Sequence, residues 1–245
     1  MLLEVAGVGK RYETSNFYLE DLNFSVEPGM SLGLVGQNGT GKSTILQMLN
    51  GTVLYDQGEV RYHGKALHEM SAPELRSMRK NIVYIFQKAN LLPNKTVAYH
   101  LALVDKLAKR PVNQERIEEI MAFMHLTRLK NSRCISLSGG EQQKVAIAMA
   151  LLQDAEVLLC DEISSALDAH SEQEIIQLLQ KIREERQMAM VMIAHNLSLV
   201  KNFCDEVLLI HEHTIQERVK PKHTAGVALS RDYVHDVKEF LLHAD

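Results

Sequence analysis

Ser31-Leu32-Gly33-Leu34-Val35 runs straight into Gly36-Gln37-Asn38-Gly39-Thr40-Gly41-Lys42-Ser43-Thr44, and Ile45 to Leu49 follow with helical spacing. The first five residues have the length and apolar content of a buried strand. The next nine fit the pattern G-x-x-x-x-G-K-[ST], which closes backbone N–H groups around phosphate oxygens. A helix opening at that point adds the partial positive charge of its N-terminus. Strand, glycine-rich turn and helix in that order predict a phosphate cradle formed by Gly36, Gln37, Asn38, Gly39, Thr40, Gly41, Lys42, Ser43 and Thr44. Lys42 is expected to reach the β and γ phosphates, and the Ser43 hydroxyl to sit on Mg²⁺.

A cradle alone does not cleave a phosphate, and a second stretch supplies what is missing. Val157-Leu158-Leu159-Cys160-Asp161-Glu162 is an apolar strand ending in two acids. Its end places Asp161 at the sheet edge as a Mg²⁺ partner through water, with Glu162 as general base on the attacking water. A third stretch, Leu137-Ser138-Gly139-Gly140-Glu141-Gln142, is a small, donor-rich turn before the helical run Lys144 to Leu152. It reads either as an anion site at a helix start or as an ordinary N-cap by Ser138.

The rest of the chain is consistent with one domain. Its 245 residues are 46% hydrophobic and 24% charged, enough to bury a sizeable core. Further strand-length apolar runs are Ile82 to Phe86, Ala189 to Ile193 and Glu206 to Ile210. Helical spacing lies between them at Gln142 to Leu152 and Ser171 to Arg186. Strand alternating with helix predicts a mostly parallel α/β sheet. Leu2 to Val5 and Tyr18 to Val26 alternate apolar and polar residues instead, as half-buried antiparallel strands do. Residues 91–135 hold helical patterns such as Arg116 to Leu129 and no strand run, so a helical insertion is expected.

Composition excludes several functions. Lys and Arg total 27 against 31 acids, a net charge of −4 with no dense basic block, which argues against nucleic acid as a partner. No apolar run is long enough to cross a bilayer, and Met1 to Lys10 does not read as a secretory signal. Cys134, Cys160 and Cys204 are odd in number and far apart, which fits a reducing compartment rather than a disulfide framework. His211-Glu212-His213 offers only two imidazoles two positions apart and reads as a solvated turn rather than a metal site.

Gly36 to Thr44, Gln87, Leu137 to Gln142, Asp161-Glu162, Ser165-Ala166-Leu167-Asp168 and His195 stand in the order and approximate spacing of the ATP-binding-cassette ATPases. The chain resembles these motor subunits of ABC transporters over about residues 2–215. The resemblance implies an ABC-type P-loop NTPase fold over residues 1–245, with a helical subdomain at about 91–152 and a short tail at 216–245. It implies ATP and Mg²⁺ as cofactors and ATP hydrolysis as the reaction. Tyr12 matches the aromatic residue that stacks on adenine. Gln87 matches the glutamine that senses Mg²⁺ and the attacking water, and His195 the histidine that contacts the γ phosphate. Asp168 matches a loop touching the opposite subunit. Ser138 and Gly140 would meet the γ phosphate held by a second cassette, either another copy of this chain or a paralogue. Other implied partners are integral-membrane permease subunits and a substrate-binding protein, at the cytoplasmic face of the cell membrane. The segment after Gln87, with Leu91 and Leu92, would form part of the permease docking groove.

Departures from the usual family wording are Ala194 and Asn196 beside His195, Lys144 for an arginine, Met149 for a second arginine, and His211 to Thr214 where a glycine is usual. None removes a group with a direct chemical role. Met70 to Leu75, Gln87 to Val97 and Val157 to Asp168 look like the methionine and polar amino-acid importers. Ser138 to Ala146 is closer in wording to peptide and nickel importers, or to lipoprotein and antimicrobial-peptide exporters. Amino-acid or peptide import is the leading expectation, with an exporter-type or a soluble non-transport ATPase as alternatives. A methionine importer's ATPase usually carries a C-terminal ligand-sensing domain, and residues 216–245 are too few for one.

Overall fold

A computed structural model describes residues 1–12, 17–165, 167–221 and 241–242. The quoted strand is β3 of the chain (Ser31–Gly36), buried along its whole length. It lies inside a six-stranded sheet, parallel to β8 (Ala189–Ile193) on one side and β9 (Glu206–His211) on the other. A strand covered on both faces has no solvated side to carry polar residues, which explains its unbroken apolar character. Beyond β8 come β7 (Val157–Asp161) and β6 (Ile82–Ile85), also parallel, while β10 (Thr214–Val219) closes the far edge antiparallel to β9.

Side chains on these strands alternate between two cores, as the two-residue period of a strand requires. Leu32, Leu34, Val157, Leu159, Val191, Ile193, Leu208 and Ile210 face one core. Val35, Leu158, Cys160, Met190, Met192, Val207 and Leu209 face the other. The first core is covered by α1 (Lys42–Leu49) and by an antiparallel sheet in the order β2-β1-β4-β5. Its strands are β1 (Leu3–Arg11), β2 (Tyr18–Val26), β4 (Gln57–Tyr62) and β5 (Lys65–Ala66). Leu32 and Leu34 are fully buried between these layers, each worth on the order of 1.5–3 kcal/mol. The second core is covered by α3 (Val97–Leu107), α4 (Gln114–Phe123), α5 (Gly139–Leu152), α6 (Ala169–Arg186) and α7 (Leu197–Phe203). One further helix, α2 (Ala72–Asn81), leads into β6 and starts on a capping box between Ser71 and Glu74.

One expectation needs correction, and two elements lie where the sequence did not mark them. The helical pattern at Arg116 to Leu129 is not one helix: α4 stops at Phe123, and His125 turns left-handed at φ 58°. The Leu126 N–H then donates to the Met121 carbonyl and the His125 N–H to Ala122, which is how a helix ends on a left-handed residue. A 3₁₀ turn, Thr127–Leu129, follows. Of the expected tail 216–245, Gln216 to Val219 belong to β10. The remainder of that tail lies largely outside the described residues, as does Ala166. Finally, β4 was not anticipated, although Glu59-Val60-Arg61-Tyr62 alternates in exposure as a half-buried strand should.

Register places the site. Leu34 and Asp161 both pair with Ile193, so the C-terminal ends of β3, β7 and β8 stand side by side. Loops leaving one edge of a parallel sheet converge there, which is where ligands of open α/β sheets sit.

Candidate active site

The cradle leaves β3 at Gly36, whose backbone passes so close to β9 that a Cβ would stand 2.4 Å from the Ile210 carbonyl oxygen. Only glycine fits that approach. Gly41 takes φ 93°, a left-handed turn that starts α1 without a side-chain cap. The first helical N–H groups are thereby left to a ligand. Lys42, at 6% exposure, donates to the carbonyls of Gly36 (2.7 Å) and Gln37 (2.8 Å). Burial pulls the Lys42 ammonium below its usual pKa, and the carboxylates of Glu162 and Asp161 oppose that pull. A cation short of solvation is a strong seat for phosphate charge.

A cleft of about 450 Å³ opens over this turn, lined by Asn38, Gly39, Gly41, Lys42, Ser43 and Thr44 together with Phe17 and Glu162. Residues more than a hundred positions apart thus share one cavity. The Ser43 hydroxyl donates to Asp161 Oδ1 at 3.2 Å, and the Tyr84 hydroxyl to Asp161 Oδ2 at 2.5 Å. Burial, and then Asp161 itself, push the Tyr84 hydroxyl well above its usual pKa and keep it a donor. A hydroxyl and a carboxylate side by side are the hard oxygen ligands that Mg²⁺ takes, so these side chains fit that ion.

Glu162 follows directly at φ 50°, a left-handed conformation that costs a non-glycine residue on the order of 1–3 kcal/mol. Its N–H donates to the Ile193 carbonyl. Its Oε1 lies 2.7 Å from His195 Nε2. The two sequence candidates from the ends of β7 and β8 therefore meet in one pair.

Gln87, Ser138, Gly140 and Tyr12 stand apart from the cleft lining. Gln87 Nε2 donates to Ser165 Oγ at 2.9 Å, and Ser165 Oγ donates in turn to the Glu162 carbonyl at 2.9 Å. Gln87 therefore reaches the loop that carries Glu162 rather than Ser43 or Asp161. Ser138 caps α5, accepting from the Glu141 N–H while the Glu141 carboxylate accepts from the Ser138 N–H. The N-cap reading of that turn is realised within the chain, and Gly140 packs where a Cβ would lie 3.1 Å from Ser171. Tyr12 lies beyond the end of β1 with its ring 5.9 Å from Phe17 and Lys10 above it.

Three residues not anticipated as site residues belong to this neighbourhood. Phe17 lines the cleft and sits 2.5 Å from where a Gly41 Cβ would be. Tyr84 was visible only as one more large residue in a strand run. Gln143, 2% exposed, donates to the carbonyls of Phe86 (3.0 Å) and Gln87 (2.7 Å), tying α5 to the loop that carries Gln87. Among the departures, Lys144 pairs with Glu174 at 2.8 Å. His213 is half-buried in its turn, its ring packing on Tyr18 at 4.3 Å and on Phe17 at 5.5 Å. No group of three metal-ligating side chains occurs among the described residues. The leucines after Gln87 divide, Leu91 packing against the core and Leu92 remaining 47% exposed.

Residues 19–165 match the family model described as ABC transporter. A relative from Clostridium acetobutylicum, the methionine import ATP-binding protein MetN, is 37% identical over 218 residues, covering 88% of this chain and 68% of its own length. The MetN of Haemophilus ducreyi is 36% identical over 221 residues, covering 88% of this chain and 64% of its own length. The chain spans about two thirds of the length of these relatives. Among solved structures, cbiO1 from Clostridium perfringens, part of the ABC transporter complex cbiONQ, superposes with TM-score 0.83 at 25% identity, covering 89% of this chain and 88% of its own. The ATP-binding cassette MJ0796, in a dimeric post-hydrolysis state bound to ADP and Pi, superposes with TM-score 0.79 at 26% identity over 89% of this chain and 98% of its own.

Proposed function

The chain belongs to the ABC transporter family, and from that premise we propose that it is the ATP-hydrolysing subunit of an importer for amino acids, methionine first among them. The observation that carries the chemistry is the shared cleft in which Lys42, Ser43 and Glu162 line one cavity. ATP binds with its phosphates on the Gly36 to Thr44 turn. Lys42 leaves its two carbonyl partners to meet the β and γ phosphates. Ser43 and Asp161 would hold Mg²⁺, which when bound would neutralise phosphate charge. Glu162 accepts a proton from the attacking water, and His195, hydrogen-bonded to Glu162, fixes the orientation of that carboxylate and reaches toward the γ phosphate.

The methionine assignment rests on the naming of the relatives, whose sequences run on beyond the matched region. The chain acts as one nucleotide-binding domain over 1–245 and pairs with a second copy of itself, so that Ser138 and Gly140 complete the partner's site. That pair works beneath a membrane permease at the cytoplasmic face, fed by a substrate-binding protein. No helix among the described residues is long and apolar enough to cross a membrane, and the membrane-spanning path is assigned to the permease.

The test is ATP turnover and nucleotide affinity of two variants. Glu162→Gln keeps ATP binding and loses hydrolysis by about 100-fold or more, the usual contribution of a general base. Lys42→Ala loses binding. A Glu162→Gln protein that still turns over at more than about a tenth of the unmodified rate refutes the assignment. Uptake of labelled methionine by vesicles carrying the assembled transporter tests the substrate.

A further inference from the structure

Glu162 and His195 sit on two different loops, and something must hold those loops in register for the 2.7 Å contact to form. Three side chains outside the catalytic pair make that connection. Ser164, two residues beyond Glu162, donates its hydroxyl to Glu172 Oε1 at 2.8 Å. Asn196, next to His195, donates its amide to Glu172 Oε2 at 3.1 Å. Glu172 lies in the first turn of α6, which Asp168 caps through the N–H groups of His170 and Ser171. One carboxylate on α6 therefore bonds to both loops, one on each oxygen.

The amide at position 196 is required for this arrangement. Asn196 Oδ1 accepts from the Leu199 N–H and caps α7 at 3.2 Å, so its NH₂ is the group turned toward Glu172. An acid at the same position would cap α7 equally well. It would also bring a second carboxylate to Glu172, and two carboxylates at that distance repel unless one takes up a proton. Asn196 is therefore matched to Glu172 in a way that helix capping does not explain.

We infer that Glu172, held between Ser164 and Asn196, is a positioning residue that sets Glu162 against His195. The inference rests on the proposed roles of Glu162 and His195. None of the three bracket residues lines the nucleotide cleft, so the bracket governs turnover and not ATP affinity.

The experiment is a charge relocation measured on the full chain. Asn196→Asp lowers kcat about fivefold or more while leaving the KM for ATP and the affinity for a fluorescent ATP analogue unchanged. Adding Glu172→Gln to that variant restores an amide opposite a carboxylate with donor and acceptor exchanged, and kcat returns to within about twofold of the unmodified protein. A general loss of fold would depress both variants and the melting temperature together, and the second change would not rescue it. The inference is overturned if Asn196→Asp turns over within about twofold of the unmodified rate, or if the double variant is no faster than Asn196→Asp alone. Glu162→Gln, run alongside, separates the two levels. If that variant still hydrolyses ATP, the reading of the catalytic pair fails. If it is inactive and the relocation has no effect, only the bracket fails.

Discussion

Replacing Gln143 separates the stability of the helical layer from the control of Gln87. Its side-chain NH₂ makes two hydrogen bonds, to the carbonyls of Phe86 and Gln87, and its Oε1 is buried without a partner. Two neutral hydrogen bonds are worth about 1–3 kcal/mol net. Gln143→Leu loses them but also removes the unpartnered acceptor, whose burial costs about 1–3 kcal/mol. Losing that acceptor offsets the two lost bonds, but the Phe86 and Gln87 carbonyls are left without their donor, so this variant is expected to lose about 1–3 kcal/mol. Gln143→Glu keeps the acceptors, loses the donor, and sets a carboxylate against two carbonyl oxygens at 2% exposure. That change costs about 3–5 kcal/mol, the scale of an uncompensated buried charge. Guanidinium unfolding read as a midpoint shift at constant m measures both. ATP turnover of the Leu variant falls roughly tenfold while the protein stays folded, because the loop carrying Gln87 has lost its tie to α5. A Glu variant as stable as the unmodified protein, or a Leu variant with full turnover, refutes the reasoning.

Tyr84→Phe removes the donor on Asp161 Oδ2 and should raise the Mg²⁺ concentration for half-maximal ATP hydrolysis roughly tenfold, since hydrogen bonds to charged groups are worth about 1.5–3 kcal/mol. An unchanged Mg²⁺ titration would show that Asp161 does not depend on that hydroxyl. Glu74 is held down to about 2, first by Lys65 and then by Ser71, against an ordinary 4.5. Its folded pKa lies below its unfolded one, so the stability it contributes is present above pH 4.5 and lost as pH falls toward 2. The gap in melting temperature between the unmodified protein and Glu74→Gln should therefore close across that window, and a gap independent of pH would contradict the capping role.

The cradle and the strand-end acids are legible in the sequence because their chemistry is contiguous. Gly36 to Thr44 form one contiguous turn whose own backbone N–H groups suit phosphate, and Asp161-Glu162 are placed by the strand that precedes them. Each needs only local rules of strand, turn and helix. The same local rules expose the cap at Ser138 and the apolar face of α6. They fail where α4 ends, because His125 carries no glycine signal for its left-handed turn.

Partnerships across the fold are decided by strand order and register, which no local pattern encodes. β7 lies between β6 and β8, and that order brings the end of β6 beside Asp161 and the loop of His195 beside that of Glu162, where Tyr84 meets Asp161 and His195 meets Glu162. Asn196 is only a departure from family wording until α6 places Glu172 beside it. Leu91 and Leu92 are the same residue type one position apart, yet Leu91 is half-buried against the core of the helical layer and Leu92 is exposed. Sequence determined which groups this protein has for phosphate chemistry, because covalent neighbours share one local geometry. Tertiary structure determined which of them touch, because contacts between distant residues depend on how layers stack and strands align.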